Sequence, residues 1–174
     1  MSRDRIASLL RLYDACRNTL YPILEDISDD HLAWRPAPDA RSIREQMRHL
    51  IRVDTWYMRQ LGLDPPLCDP GDGAPSAALA EGMQGIQGYV RGQLETCERD
   101  EDLAAERQSP KASKPYTLGW VTQHIAQHYL YHHAQMVYLR RAQDRNWASP
   151  LLAWEHATEE IGRCIVDGRT EHGS

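Results

Sequence analysis

Between residues 124 and 135 the chain reads His124-Ile125-Ala126-Gln127-His128-Tyr129-Leu130-Tyr131-His132-His133-Ala134-Gln135, which places four of its eight histidines within ten positions. Residues four apart on a helix lie about 40° apart around the axis and about 6 Å apart along it, so two neighbours in this series can hold one ion between their imidazoles. His128 can pair with His124 or with His132. All three cannot share one ion, because the outer two are separated by about 12 Å of rise. A third ligand therefore has to come from another helix, and His49, inside an amphipathic segment, is the imidazole available for it. A lone histidine on an apolar face is ordinarily a hydrogen-bonded core residue, and that is the reading of His49 if it stood alone. His31, His156 and His172 read as surface or capping residues, and His133, turned about 100° from His132, leaves the site.

Three neutral imidazoles leave coordination positions open for water or substrate, the arrangement of a catalytic zinc site rather than of a closed structural one. Such a centre can lower the pKa of bound water or hold a thiol as thiolate. Ligands that are all histidine do not choose among zinc, nickel, iron and cobalt. Ile125 or Tyr129 stands where a His-Glu-x-x-His protease would carry its glutamate, which disfavours that class. Asp54, five positions after His49, is the acidic residue to weigh as a partner of the ligands or as a base, against the plainer reading of a surface aspartate.

The elements that position these groups follow from the apolar periodicity. Ile6, Leu9, Tyr13, Cys16, Leu20, Leu24 and Ile27 form one helical stripe, interrupted by Pro22, which predicts a kink or break near Tyr21. Ser28 caps a short turn through Trp34, and Arg35-Pro36-Ala37-Pro38-Asp39 ends it. Ser42 with Glu45 is a capping box opening a second helix through Ile43, Met47, Leu50, Trp56, Tyr57 and Leu61, with His49 in its middle. Residues 62–75 are a loop by composition and a candidate lid or rim. Ser76 is expected to cap a third helix carrying Leu79, Met83, Ile86, Tyr89, Val90 and Leu94, weakened by Gly82, Gly85 and Gly88 unless these admit a neighbouring helix. Residues 98–114 read as connection. Thr117 caps the histidine-bearing fourth helix, to about Ala142, and Ser149-Pro150 opens a fifth through Leu151, Leu152, Trp154, Ile161 and Ile165. No alternating strand pattern is present. The expected architecture is an all-α four-helix bundle with an additional C-terminal helix, one domain over residues 1–168 and a flexible tail at 169–174.

Composition narrows the function classes. The chain has 174 residues, is 41% hydrophobic and 26% charged, and carries a formal charge of −5 with both signs interspersed. It has no basic face for phosphates, so nucleic acid is a poor partner. No run approaches a membrane span and Arg, Asp and Arg break the N-terminus, so a cytoplasmic protein is expected. Cys16, Cys68, Cys97 and Cys164 make no Cys-x-x-Cys pair and read as reduced, structural thiols, with Cys68 the one expected at the surface.

Two segments resemble the DinB-like (YfiT-related) superfamily of helical metalloproteins. Trp34-Arg35-Pro36-Ala37-Pro38 through Ser42-Ile43 to His49-Leu50, then Asp54-Thr55-Trp56-Tyr57, is similar to its Arg-Pro, Ser-Ile and His-Leu signature. His124-x3-His128-x3-His132-x2-Gln135, followed by Leu139-Arg140, is similar to its histidine-rich fourth helix, except that His133-Ala134 replaces the commoner Arg-Gly. The likeness spans roughly residues 5–143. It implies metal ligation by His49, His128 and His132, with His124 beside the site. It further implies a damage-inducible, divalent-metal-binding protein, commonly a homodimer, whose relatives include metal-dependent thiol S-transferases acting with bacillithiol, mycothiol or glutathione. A metal-dependent hydrolase and a non-catalytic, stress-linked metal-binding protein are the alternatives.

Overall fold

In the computed structural model, residues 2–170 are described, with side chains to 165, so His172 and the end of the expected tail lie outside them. The described chain is an all-α bundle whose long helices are α1 (Asp4–Asn18), α4 (Ile43–Gln60), α5 (Ser76–Glu95), α6 (Leu118–Gln143) and α7 (Leu151–Thr170), with α2 (Tyr21–Leu24) and α3 (Asp29–Ala33) as short connectors. α1 packs on α5 and α6, and α4 packs on the same two. The four therefore close a ring in which α1 and α4, consecutive long helices, stand at opposite corners. Two long connections make the diagonal crossings. One runs through α2 and α3, the other through residues 96–117. α7 lies outside the ring against α1.

Local chemistry explains the helix boundaries. Pro22 sits in the first turn of α2, where its missing N–H costs nothing, and α1 stops four residues earlier. Ser42 accepts from the Glu45 N–H while Glu45 accepts from the Ser42 N–H, so both orphan donors at the start of α4 are met. Thr117 caps α6 by accepting from Trp120, and Ser28 caps α3 by accepting from His31. Arg140, buried near the end of α6, donates to the carbonyls of Pro22, Ile23 and Glu25 and lies 4.5 Å from the Trp147 ring centroid. One guanidinium thus ties the first crossing to the histidine helix.

Several expectations are corrected. Ser76 is the first residue of α5, which follows Pro75 without a side-chain cap. Gly82 and Gly85 admit the 62–75 loop rather than a helix: a Cβ at Gly82 would meet the Cys68 carbonyl oxygen, and one at Gly85 would lie 2.9 Å from Cys68 Sγ. Cys68 is consequently half-buried. Residues 98–114 contain a 3-10 turn (Asp100–Ala104) and one strand of the antiparallel pair β1 (Glu106–Arg107) and β2 (Tyr116–Thr117), too short for alternation to be visible. α7 docks through Trp154, Ala157, Glu160 and Ile161, while Leu151, Leu152 and Ile165 face outward. Among the described residues no helix is long and apolar enough to cross a membrane.

Candidate metal centre

α4 and α6 run antiparallel, with Gln46 opposite His132, Asp54 opposite Tyr129 and Tyr57 opposite His124. This register brings His49 to the pair His128 and His132. One ring nitrogen from each of the three lies within 4.8 Å of the others. The rings are steeply inclined to one another, with centroids 5.2 Å apart for His49 and His128, 5.1 Å for His49 and His132, and 4.6 Å for His128 and His132. His132 Nε2 and His128 Nε2 are 3.0 Å apart. Nitrogens that share a tetrahedral ion at 2.0–2.1 Å are about 3.3 Å from one another, so the spacing of this pair fits a common metal.

The protonation states fit as well. Gln46 Oε1 lies 2.8 Å from His132 Nδ1, which fixes the proton there and leaves the Nε2 lone pair for the site. Burial, the other imidazoles and Arg41 press His132 down to about 4, and burial, His49, His124 and Arg41 do the same to His128. His49 is lowered by burial, Arg41 and Arg52. All three are therefore neutral at pH 7, the form that binds a metal. His132 is buried, while His49 and His128 are half-buried, so the triad opens to one side.

The remaining histidines part company. His124 does not join the triad; its ring stacks between Trp120, at 5.0 Å, and His128, at 6.2 Å. His133 is buried, bonded to the Thr19 carbonyl at 3.0 Å and stacked on Trp154, so it serves the docking of α7. His31 lies in α3 and His156 is exposed on α7.

Asp54 is neither at the surface nor against a ligand histidine. It is fully buried, and its carboxyl is hydrogen-bonded by Tyr129, whose hydroxyl lies 3.3 Å from that of Tyr13. Burial pushes Asp54 up to about 8, against the lowering from Tyr129, and holds both tyrosines well above their ordinary range. Its position was legible: Leu50, Asp54 and Met58 fall on one apolar stripe at steps of four.

Two features beside the triad had not been singled out from the sequence. Toward the start of α6, Trp56, Tyr57, Tyr116 and Trp120 form a contiguous aromatic wall that continues into His124, with Trp56 and Trp120 about half exposed at 47% and 46%. Their clustering depends on the second crossing, which returns Tyr116 to Tyr57. Toward the end of α6 lies an open cleft of about 470 Å³ lined by Pro36, Ala40, Arg41, Gln46, Gln135 and Tyr138, among others. Neither this cleft nor a separate one of about 340 Å³ between α1, the 3-10 turn and α6 is lined by a histidine.

A family model described as the DinB superfamily matches residues 12–136, the stretch that contains all three triad histidines. No curated protein and no solved structure matches the chain.

Proposed function

Because the chain belongs to the DinB superfamily, we propose that it binds a divalent transition metal through His49, His128 and His132 and acts as a metal-dependent thiol S-transferase. The observation that carries this reading is the convergence of three neutral imidazole nitrogens, from two helices, on a point open to one side. When bound, the ion supplies Lewis acidity that lowers the pKa of a thiol or water in its open position.

The chain's own residues then divide the work. Gln46 keeps the His132 proton on Nδ1, so that its other nitrogen stays a ligand. The His124 and Trp120 rings, stacked along α6, shield one flank of His128 from water and offer flat apolar surface to an electrophile. Among the described residues no carboxylate is hydrogen-bonded to a triad imidazole, and Asp54 is committed to Tyr129 in the core. A hydrolase needs a general base or acid beside the water it activates. A thiol, with an ordinary pKa near 8.5, needs only to be deprotonated at the metal, and the donor set favours that chemistry.

The test is to load the purified protein with zinc, nickel, iron(II) or cobalt in turn and follow consumption of a chlorodinitrobenzene-type electrophile with bacillithiol, mycothiol, glutathione and cysteine. The reading expects turnover that needs both metal and thiol and is lost with a chelator and in H49A or H128A. Metal-dependent esterase activity without thiol would replace it with the hydrolase. Tight metal binding with no thiol-dependent turnover in any combination would leave a non-catalytic metal-binding protein.

A further inference from the structure

Arg41 precedes the cap of α4 and lines the 470 Å³ cleft together with Gln46, the residue that orients His132. The cleft is thus continuous with the support of the triad. Its volume is that of a small-molecule pocket, and Gln135 and Tyr138 add polar groups to an otherwise apolar lining.

The charges around it are unevenly engaged. Arg35 is paired with Glu45, Arg44 with Asp29, and Arg48 with Asp69 and Asp72, while Arg52 stands 3.9 Å from Asp69. Arg41 makes no ion pair or hydrogen bond among the described residues, although its charge is felt by all three triad imidazoles and by Glu45. Glu45, the carboxylate nearest in this network, is already held by Arg35 and by the Ser42 N–H. A chain with a net charge of −5 therefore presents an uncommitted guanidinium on a cleft that reaches the metal-binding triad through Gln46.

We infer that this cleft seats the carboxylate of the small molecule whose reacting atom lies at the triad, with Arg41 as the residue that selects an anionic over a neutral substrate. One guanidinium matches one carboxylate in charge and in its planar pair of donors, and the amide N–H groups of Gln46 and Gln135 on the same cleft can donate to the carboxylate oxygens. The inference rests on the metal-binding reading above and goes beyond it by naming the chemical class of the substrate.

Cobalt(II) replaces the native metal and reports both steps by its visible bands. Their appearance on loading tests the triad before any thiol is present. The loaded protein is then titrated with mercaptoacetate, 3-mercaptopropionate and 4-mercaptobutyrate and with 2-mercaptoethanol, in the wild type and in R41Q, with methyl phosphate and acetate as competitors. The wild type is expected to bind its best acid about tenfold or more tightly than the alcohol, a margin typical of a charge-assisted hydrogen bond. R41Q should erase that preference while leaving the cobalt bands and the 2-mercaptoethanol affinity within about twofold, and acetate should compete better than methyl phosphate. Equal weakening of acid and alcohol in R41Q, no preference in the wild type, or stronger competition by methyl phosphate would overturn the inference with the metal site intact. If no cobalt bands form, the metal-binding reading fails separately. Saturation-transfer NMR of 3-mercaptopropionate on metal-free protein then decides the anion site: a signal in the wild type that is lost in R41Q supports it, and equal signals refute it.

Discussion

Replacing Asp54 by Asn should remove a pH-dependent weakness from the metal-free protein. Asp54 is fully buried, and its carboxyl is pushed up to about 8 by desolvation, whereas an unfolded aspartate titrates near 3.9. The folded state thus holds a proton that the unfolded chain has released. The contribution of this group is fully present below about pH 3.9 and is lost as the pH rises through about 8, at about 1.4 kcal/mol per unit. His128 and His132, lowered to about 4, act with the opposite sign: they cost nothing above about 6.5 and destabilise the fold as the pH falls from there toward 4. Between about pH 6.5 and 8 the histidines are silent and Asp54 is exposed as the titrating core group. Stability should fall by about 2 kcal/mol over that interval, or about 4–8 °C in midpoint for a chain of this length. D54N keeps an acceptor for Tyr129 but has no proton to lose. It pays an offset of about 1–3 kcal/mol for an unpaired amide N–H, since Asp54 Oδ1 has no partner to offer it. The slope, not the offset, is therefore the readout. Thermal unfolding followed by circular dichroism in chelator, at half-unit steps from pH 6 to 8.5, should show a declining midpoint for the wild type and a flat one for D54N. Parallel curves would refute the assignment of the slope to Asp54.

Three further outcomes follow from the same geometry. Gln46→Leu removes the acceptor that fixes the His132 tautomer and should weaken zinc binding about 10–100-fold, read by competition with a chromophoric chelator. Arg140→Ala leaves the carbonyls of Pro22, Ile23 and Glu25 without their donor and uncovers Trp147, so unfolding by urea should show a loss of about 2–4 kcal/mol with bound-metal stoichiometry unchanged in the folded fraction. Gly82→Ala drives a methyl group into the Cys68 carbonyl and should cost about 1–3 kcal/mol, with faster proteolysis of the 62–75 loop; an unaltered midpoint would show that the loop yields freely.

Much of this arrangement was written in side-chain periodicity and capping chemistry. The stripe through Ile6, Leu9, Tyr13 and Cys16, the Ser42–Glu45 box, Thr117 before α6 and the break at Pro22 each depend on residues close in sequence, so a local reading reaches them. The fourfold spacing of His124, His128 and His132 gave the possibility of a shared ion but not the choice of pair, which came from resemblance. The structure supplies the physical difference: His132 has Gln46 to hold its proton, whereas His124 is stacked against Trp120. What the sequence hid was set by the crossings. Tyr116 reaches Tyr57 only because residues 96–117 span the bundle diagonally, and the two-residue strands beside it carry no period to detect. That Arg41 has no ion-pair partner among the described residues, while Arg35, Arg44 and Arg48 have theirs, is likewise visible only in the fold.

Burial of a carboxyl group and two phenols on the faces that join α4, α6 and α1 has a consequence for the triad. Asp54 and Tyr129 are paired across α4 and α6 one turn from His49 and next to His128, so their hydrogen bond fixes the register of the two helices that supply the ligands. A slip by one residue would turn Tyr129 by about 100° and strand both polar groups in the core. An apolar pair of the same size could stabilise the bundle as well but would tolerate sliding, because dispersion contacts have no direction. The polar pair therefore specifies alignment. On this reasoning an Asp54→Leu and Tyr129→Phe double variant should keep or gain thermal stability yet bind zinc more weakly, with the metal affinity, not the melting midpoint, recording what the pair contributes. Undiminished affinity in that variant would show that the ligand geometry is held by helix packing alone.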